Sequence, residues 1–316
     1  MDFMITTVTP NPAIDITYTL DELHPGESNR VNSVAERAGG KGINVARVLH
    51  CCGESATVAG LFGGDSGTWI LNELFTIGIT CEPTLVGLPS RRTVTVVADA
   101  EDYSTTVLNE RGPATTPAEW DALTTTVTAL VARSEVLVVS GSLPPGGSAA
   151  SIRPLITAAR HHGIPCIVDT TRDGLLEAAR AGASVLKPNI DELREAFHTD
   201  VRSHRDIVET ARLLVSLGAE RVIVSLGADG VIGVDRDEAY WCSAIDGISG
   251  NPTGAGDAAV AGIAQALTRN ADWPDILRNA VAFGAAAVLA PEAGDVNSTD
   301  VERFLSLAHP TVLSVS

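Results

Sequence analysis

Apolar residues fall into two kinds of run along this chain. Short continuous ones, "MITTVT", "ATVAGLFG", "SEVLVVSGS", "GIPCIVDT", "ASVLKPN" and "RVIVSLG", end in polar or glycine-rich turns, as strands buried on both faces do. Between them, apolar positions recur three and four apart in "INVARVLHCC", which turns Ile43, Ala46, Val48 and Leu49 inward, and in "GTWILNELFTIG", "ARLLVSLG" and "DILRNAVAFGAAAVL". This alternation predicts βαβ units and an α/β fold with a mainly parallel central sheet. Ligands of such sheets collect beyond the carboxyl ends of strands, where "SGSLPPG", "DTT", "KPN" and "SLGADG" stand. Two segments break the rhythm. "IDITYTLDEL" with "NRVNSVAE", and "RRTVTVVADAEDYSTTVLNE", alternate with period two and are rich in Thr and Val. They predict antiparallel strands outside the main sheet, a small β-sheet lid inserted at about residues 13–36 and 88–111. No linker or repeat divides the 316 residues, so one domain is expected.

Composition narrows the function. The longest apolar run, "AVAFGAAAVLAP", is too short for a bilayer and reads as a buried helix, so no membrane partner is expected. The N-terminus lacks a basic region and reads as a first strand rather than a signal peptide. Five cysteines, an odd number without C-x-x-C, point to reduced thiols in a cytoplasmic protein and away from a cysteine-ligated zinc site. A net charge of −17 argues against nucleic acid as a partner, so any phosphate-bearing ligand must be held by local charges. Of 22 basic residues only two are lysines, Lys41 in "GGKG" and Lys187 in "LKPN", and both fall in glycine- or turn-bearing motifs.

Several motifs carry chemistry. "GGKG" is not a phosphate-binding P-loop, because glycine follows the lysine, but it opens a helix whose N–H groups and Lys41 could meet a polar ligand; Asn44 can both donate to and accept from sugar hydroxyls. "NPTGAGDAAVAG" puts amides and a carboxylate, Asp257, within four residues at a helix start. Phosphoryl transfer needs amides and cations around the moving group and one carboxylate for the acceptor's proton. The bland alternative for Asp257 is a helix cap. "GAGDAA" also fits the dinucleotide pattern G-x-G-x-x-A, but a nicotinamide oxidoreductase would carry it in a first βα turn. In "KPNIDEL", Asn189 and Glu192 suit a hydrated Mg²⁺, or simply a capping box. "SLGADG" suits a nucleotide or a tight turn. Arg30, Arg91 and Arg92 lie in the lid segments, where a phosphorylated sugar would need guanidiniums.

In this order, "AGGKGINVARVL" and "NPTGAGDAAVAGI" resemble the paired signatures of the ribokinase-like (PfkB) sugar kinases. "TPNPAID", "PGESNRV", "SGSLPPG", "VDTT", "KPNIDEL" and "VSLGADG" are similar to the subgroup of 1-phosphofructokinase and 6-phosphotagatose kinase. The resemblance implies a three-layer ribokinase-like sandwich with a β-sheet lid serving as homodimer interface, and Mg-ATP as phosphoryl donor. It implies Asp257 as catalytic base and Gly254, Ala255 and Gly256 as its anion hole. Asp15, Gly40 and Asn44 are implied on the sugar, with Lys41 expected beside them from its place in "GGKG", and Arg30, Arg91 and Ser140 near its phosphate, with Arg30 a candidate to reach a neighbouring subunit. Lys187, Asn189, Ser225, Gly227 and Gly230 are implied at the nucleotide, and Asn189 and Glu192 at Mg²⁺ through water. The expected reaction phosphorylates a ketohexose phosphate, fructose 1-phosphate first, with tagatose 6-phosphate and fructose 6-phosphate as alternatives. The chain departs from the family at Asn251, where an Asp commonly binds a monovalent cation, at Arg111, where the subgroup often has Pro, and at Arg172 and Asp173. A sugar-phosphate sensor is the remaining alternative, but it would have no use for a base.

Overall fold

The computed structural model describes residues 4–98, 104–290 and 292–314; residues 99–103, inside the second expected lid segment, lie outside the described residues. Numbered in chain order, ten strands form the larger sheet, from edge to edge β14 (Thr311–Val312), β13 (Ala239–Cys242), β12 (Val231–Val234), β11 (Arg221–Ser225), β10 (Val185–Leu186), β9 (Cys166–Asp169), β8 (Val136–Ser140), β1 (Met4–Thr9), β4 (Ser55–Gly63) and β5 (Thr80–Val86). From β11 to β5 all neighbours are parallel, whereas β12, β13 and β14 add antiparallel strands at one edge.

Helices cover both faces. Along β8, Leu137 and Val139 pack with α3 (Pro117–Val131), α4 (Arg153–His161), α5 (Asp173–Ala181) and α7 (His204–Leu217), while Val136 and Val138 pack with α1 (Lys41–Cys51), α8 (Ala255–Thr268), α9 (Trp273–Val288) and α10 (Ser298–Leu305). Burial on both faces is why the strand sequences read as unbroken apolar runs. Two further helices, α2 (Gly64–Thr76) and α6 (Ile190–Phe197), complete the set.

A second sheet has the order β3 (Ser33–Gly39), β2 (Ala13–Leu20), β6 (Arg91–Ala98) and β7 (Ser104–Asn109). Its pairing corrects the purely antiparallel expectation. β2–β3 and β6–β7 are antiparallel hairpins, but β2 and β6 join them in parallel. The cause is the entry point of each hairpin: β2 follows β1 and β6 follows β5, and those parallel strands leave the core at the same edge. Ile14, Ile16 and Ala38 dock this sheet on Ile43, Phe62, Ile70 and Leu74, so α1 is gripped from both sides. On the second sheet Val34, Val107 and Leu108 are exposed.

Candidate active site

The carboxyl edge of the main sheet gathers most of the singled-out residues. Ser140 ends β8 in register with Asp169, which ends β9. The Lys187 N–H donates to the Val168 carbonyl, and Asn189 bridges to Ser225 at the end of β11. Three helices start over this edge, α1 after Gly40, α6 after Asn189 and α8 after Gly254. Their side chains interlock: Lys41 of α1 reaches Glu192 of α6, and Asn44 of α1 reaches Asp257 of α8. Three positive helix ends thus face one volume.

Asp257 lies in the first turn of α8, only 7% exposed. Asn44 Nδ2 donates to its Oδ2 at 2.8 Å. Burial pushes the carboxyl up from 3.8 to about 6; Lys41 and Asn44 oppose the rise and Asp169 adds to it. Gly254 precedes it with φ 85°, and a Cβ there would stand 2.9 Å from Ala293 Cα, so the turn requires glycine. Neither Gly254 nor Gly40 caps its helix with a side-chain hydrogen bond. The structure changes one part of the expected anion hole. The Ala255 N–H is spent on the Pro252 carbonyl, closing the turn that brings the chain into α8. Among the described residues, the Gly256 and Asp257 amides donate to no backbone carbonyl, as the first turn of a helix leaves them.

The two lysines of the chain meet at one carboxylate. Asp169, 1% exposed, holds Lys41 Nζ at 3.2 Å and Lys187 Nζ at 3.6 Å from its two oxygens. Burial opposes its charge, but Lys187 and Lys41 outweigh burial and hold it below the usual carboxylate range. Asp169 in turn is the main reason Lys41 stays firmly protonated, against desolvation and with help from Glu192 and Asp257. A Cβ on Gly256 would lie 3.5 Å from Lys187 Nζ, so that cation sits directly beside the open amides. Sequence reading passed over Asp169. The available signal was an ionisable residue closing an otherwise apolar strand at the ligand-binding edge.

Asn189 and Glu192 form a full capping box: the Glu192 N–H donates to Asn189 Oδ1 at 2.8 Å, and the Asn189 N–H to Glu192 Oε2 at 2.9 Å. Glu192 Oε1 remains free of the box, 3.7 Å from Lys41 Nζ. No group of three His, Cys, Asp or Glu side chains able to hold a metal occurs among the described residues. One spare carboxylate oxygen fits a magnesium ion that keeps its waters and takes its other ligands from phosphates, and does not fit a metal caged by protein alone.

The remaining residues divide. Asp15 tucks under Gly39, where a Cβ would come within 1.9 Å of its Oδ2; burial raises its carboxyl, and Arg91, Thr93 and Arg37 resist the rise. Arg91 Nε donates to the Asn11 carbonyl at 3.2 Å. Ser140 is wholly buried with no partner for its hydroxyl, whereas Ser142, two residues on, is exposed and accepts from Asn11 Nδ2. Arg30 is not brought to the cluster; it is exposed in the loop between β2 and β3, at the far end of that hairpin from Asp15. Gly227 (φ 62°) and Gly230 (φ 89°) bracket the turn after β11; the turn is open at Gly227, where nothing lies within 4 Å of the Cβ position, and packed at Gly230, where a Cβ would come within 2.1 Å of the Cys242 carbonyl.

A family model described as pfkB family carbohydrate kinase matches residues 8–300. The chain is 36% identical over 307 residues to a 1-phosphofructokinase of Haloferax volcanii, covering 95% of this chain and 98% of that one. It is 30% identical over 313 residues to a tagatose-6-phosphate kinase of Staphylococcus epidermidis, covering 95% and 97%. The crystal structure of phosphofructokinase-2 from Escherichia coli in complex with potassium superposes with a TM-score of 0.90 at 29% identity, covering 97% of this chain and 99% of that one.

Proposed function

The chain belongs to the pfkB family of carbohydrate kinases, phosphotransferases with an alcohol acceptor, and from that premise we propose that it transfers the γ-phosphoryl group of ATP to a ketohexose monophosphate, fructose 1-phosphate first, giving the 1,6-bisphosphate. The observation that carries this reading is Asp257: a buried carboxylate with one oxygen held by Asn44, beside open amides and two lysines. With a value of about 6 it is roughly nine-tenths ionised at pH 7. Its Oδ1 takes the proton of the acceptor hydroxyl while that oxygen bonds to the γ-phosphorus. The bond from the γ-phosphorus to its bridging oxygen breaks, and ADP leaves with the electron pair. As the base becomes neutral, its repulsion of the phosphoryl group falls along the reaction. The Gly256 and Asp257 amides and Lys187 stabilise the charge on the moving group. Lys41, tied to Asp169 and Glu192, spans acceptor and donor sides. Bound with the nucleotide, magnesium would supply charge to the phosphates, and Glu192 Oε1 is the oxygen placed to hold one of its waters. The turn bearing Ser225, Gly227 and Gly230 is the proposed nucleotide platform, and Asp15, Gly40 and Asn44 the proposed sugar contacts.

A homodimer through the second sheet belongs to the same reading; the exposed Val34, Val107 and Leu108 support it, and a two-chain mass in sedimentation would test it. For the sugar, kcat/KM from a coupled ADP readout should be highest with fructose 1-phosphate among fructose 1-phosphate, fructose 6-phosphate and tagatose 6-phosphate. A preference for either of the others would move the assignment within the family, and turnover of unphosphorylated ketoses alone would overturn it.

A further inference from the structure

A cleft of about 390 Å³ opens next to the candidate site, lined by Arg91, Glu110, Arg111 and Gly112 among others. Asn11 joins it to the site. Its carbonyl accepts from Arg91 Nε, its Nδ2 donates to the Arg111 carbonyl at 3.1 Å and to Ser142 Oγ at 3.3 Å, and its Oδ1 is buried without a partner. The next residue back from Ser142, Gly141, places its Cβ position 3.8 Å from Lys41 Cβ. Gly112 has φ 89°, and a Cβ there would lie 2.2 Å from Asn11 Oδ1, so the backbone around Arg111 is bolted down.

The charges in this cleft are unbalanced in a chain that is otherwise strongly acidic. Arg91 spends Nε on Asn11 and Nη1 on Thr93 and the Glu110 carbonyl. Arg111 is exposed, its carbonyl accepts from Asn11, and no side-chain ion pair holds its guanidinium among the described residues. Glu110 is the opposing charge, with its Oε2 fixed by the Arg92 N–H at 2.8 Å. Asp15, behind the cleft wall, also faces Arg91, so Arg91 is already balanced by carboxylates, and Arg111 is the cation of the lining with none of its own. Guanidiniums present paired N–H donors that match phosphate oxygens.

We propose that Arg111 is a specificity-determining residue, completing with Arg91 a two-guanidinium clamp on the phosphate that the acceptor sugar already carries. This rests on the kinase reading of the same site and adds to it the group that makes a sugar monophosphate, rather than a free sugar, the acceptor.

The test is Arg111→Ala beside Arg111→Lys, both checked for wild-type melting. Steady-state kinetics compare fructose 1-phosphate with fructose, and calorimetry measures binding of the sugar phosphate without nucleotide. Arg111→Ala should raise KM and Kd for the phosphorylated sugar roughly 10- to 100-fold, the range of a lost hydrogen bond to a charged group, with kcat much less affected. Arg111→Lys should lose less, since it keeps the charge and drops the fork. The preference for phosphorylated over free sugar should fall by the same factor. Unchanged KM and Kd, or equal losses with both sugars, would overturn the clamp, as would a wild type that binds none of the three ketohexose monophosphates. Arg111-dependent binding of a sugar phosphate with no turnover would instead overturn the kinase reading and leave the clamp standing.

Discussion

Replacing Asp257 with Asn should disable the enzyme and stabilise the fold, and both effects come from one buried carboxyl. Its value rises from 3.8 to about 6 because folding strips it of water. A raised carboxyl value means the ionised form is costlier in the folded chain than in the unfolded one. That cost is absent below about pH 4, grows as pH rises toward 6 and is constant above. About two units at 1.36 kcal/mol each give roughly 3 kcal/mol at pH 8, shrinking to about 2 kcal/mol at pH 5.5. Asn keeps the shape and still accepts from Asn44, so the variant should gain up to that amount. Urea titrations at pH 8 and pH 5.5 read the difference directly. The coupled assay should show kcat reduced about 10²–10⁴-fold, the usual worth of a general base, with ATP binding intact. A variant no more stable than wild type at pH 8 would refute the burial argument. Wild-type turnover would refute the role as base.

Other outcomes follow from the same geometry. In the wild type, kcat/KM should rise about tenfold per pH unit below about 6 and level off above it, because the base works deprotonated; a pH–rate profile checks this. Asp169→Asn leaves Lys187 buried without its counter-ion and should cost about 3–5 kcal/mol in denaturant titration, as breaking a buried pair from one side does. Gly254→Ala forces a left-handed backbone and a contact with Ala293, so it should lose at least about 1 kcal/mol together with most activity. Asn251 is neutral, its Oδ1 accepting from the Thr253 N–H, so exchanging potassium for tetramethylammonium should change kcat less than twofold, while Asn251→Asp should introduce cation dependence.

The α/β alternation was legible because strands buried on both faces leave long apolar runs, and the glycine motifs because positive φ and close approach leave few alternatives to glycine. Lys41, Asn44 and Asp257 stand in such motifs, and Lys187, Asn189 and Glu192 in the strand-to-helix turn "KPNIDEL"; the structure brings all six to one edge. Asp169 was not legible, since its importance depends on register: β8, β9 and β10 must line up before one strand-end carboxylate can meet two lysines more than a hundred residues apart in the chain. The parallel joint of the second sheet was hidden for a similar reason, because period-two alternation specifies a strand and says nothing of its neighbour's direction. Nor could a motif reveal that the Ala255 amide closes a turn, leaving the Gly256 and Asp257 amides without a backbone partner. The strands β12 and β13 are four residues each, too short for a periodicity to stand out.

The parallel joint also bears on the order in which the protein assembles. Ala13 pairs with Arg91 and Leu20 with Ala98, so the first hairpin must wait for a partner encoded far downstream. A lone hairpin is marginal in water, and closing so long a loop precedes any reward from the contacts it makes. On a ribosome, β2 and β3 would emerge early and could dock on α1, β4 and α2, but the β2 edge would stay unpaired until β6 had been synthesised. The second sheet is therefore closed in two stages, with the hairpin first docking on Phe62, Ile70 and Leu74 and the β2–β6 joint following once residue 98 has emerged. A chain stopped before residue 91 would leave the β2 edge with its backbone groups unpaired, a natural handle for chaperones.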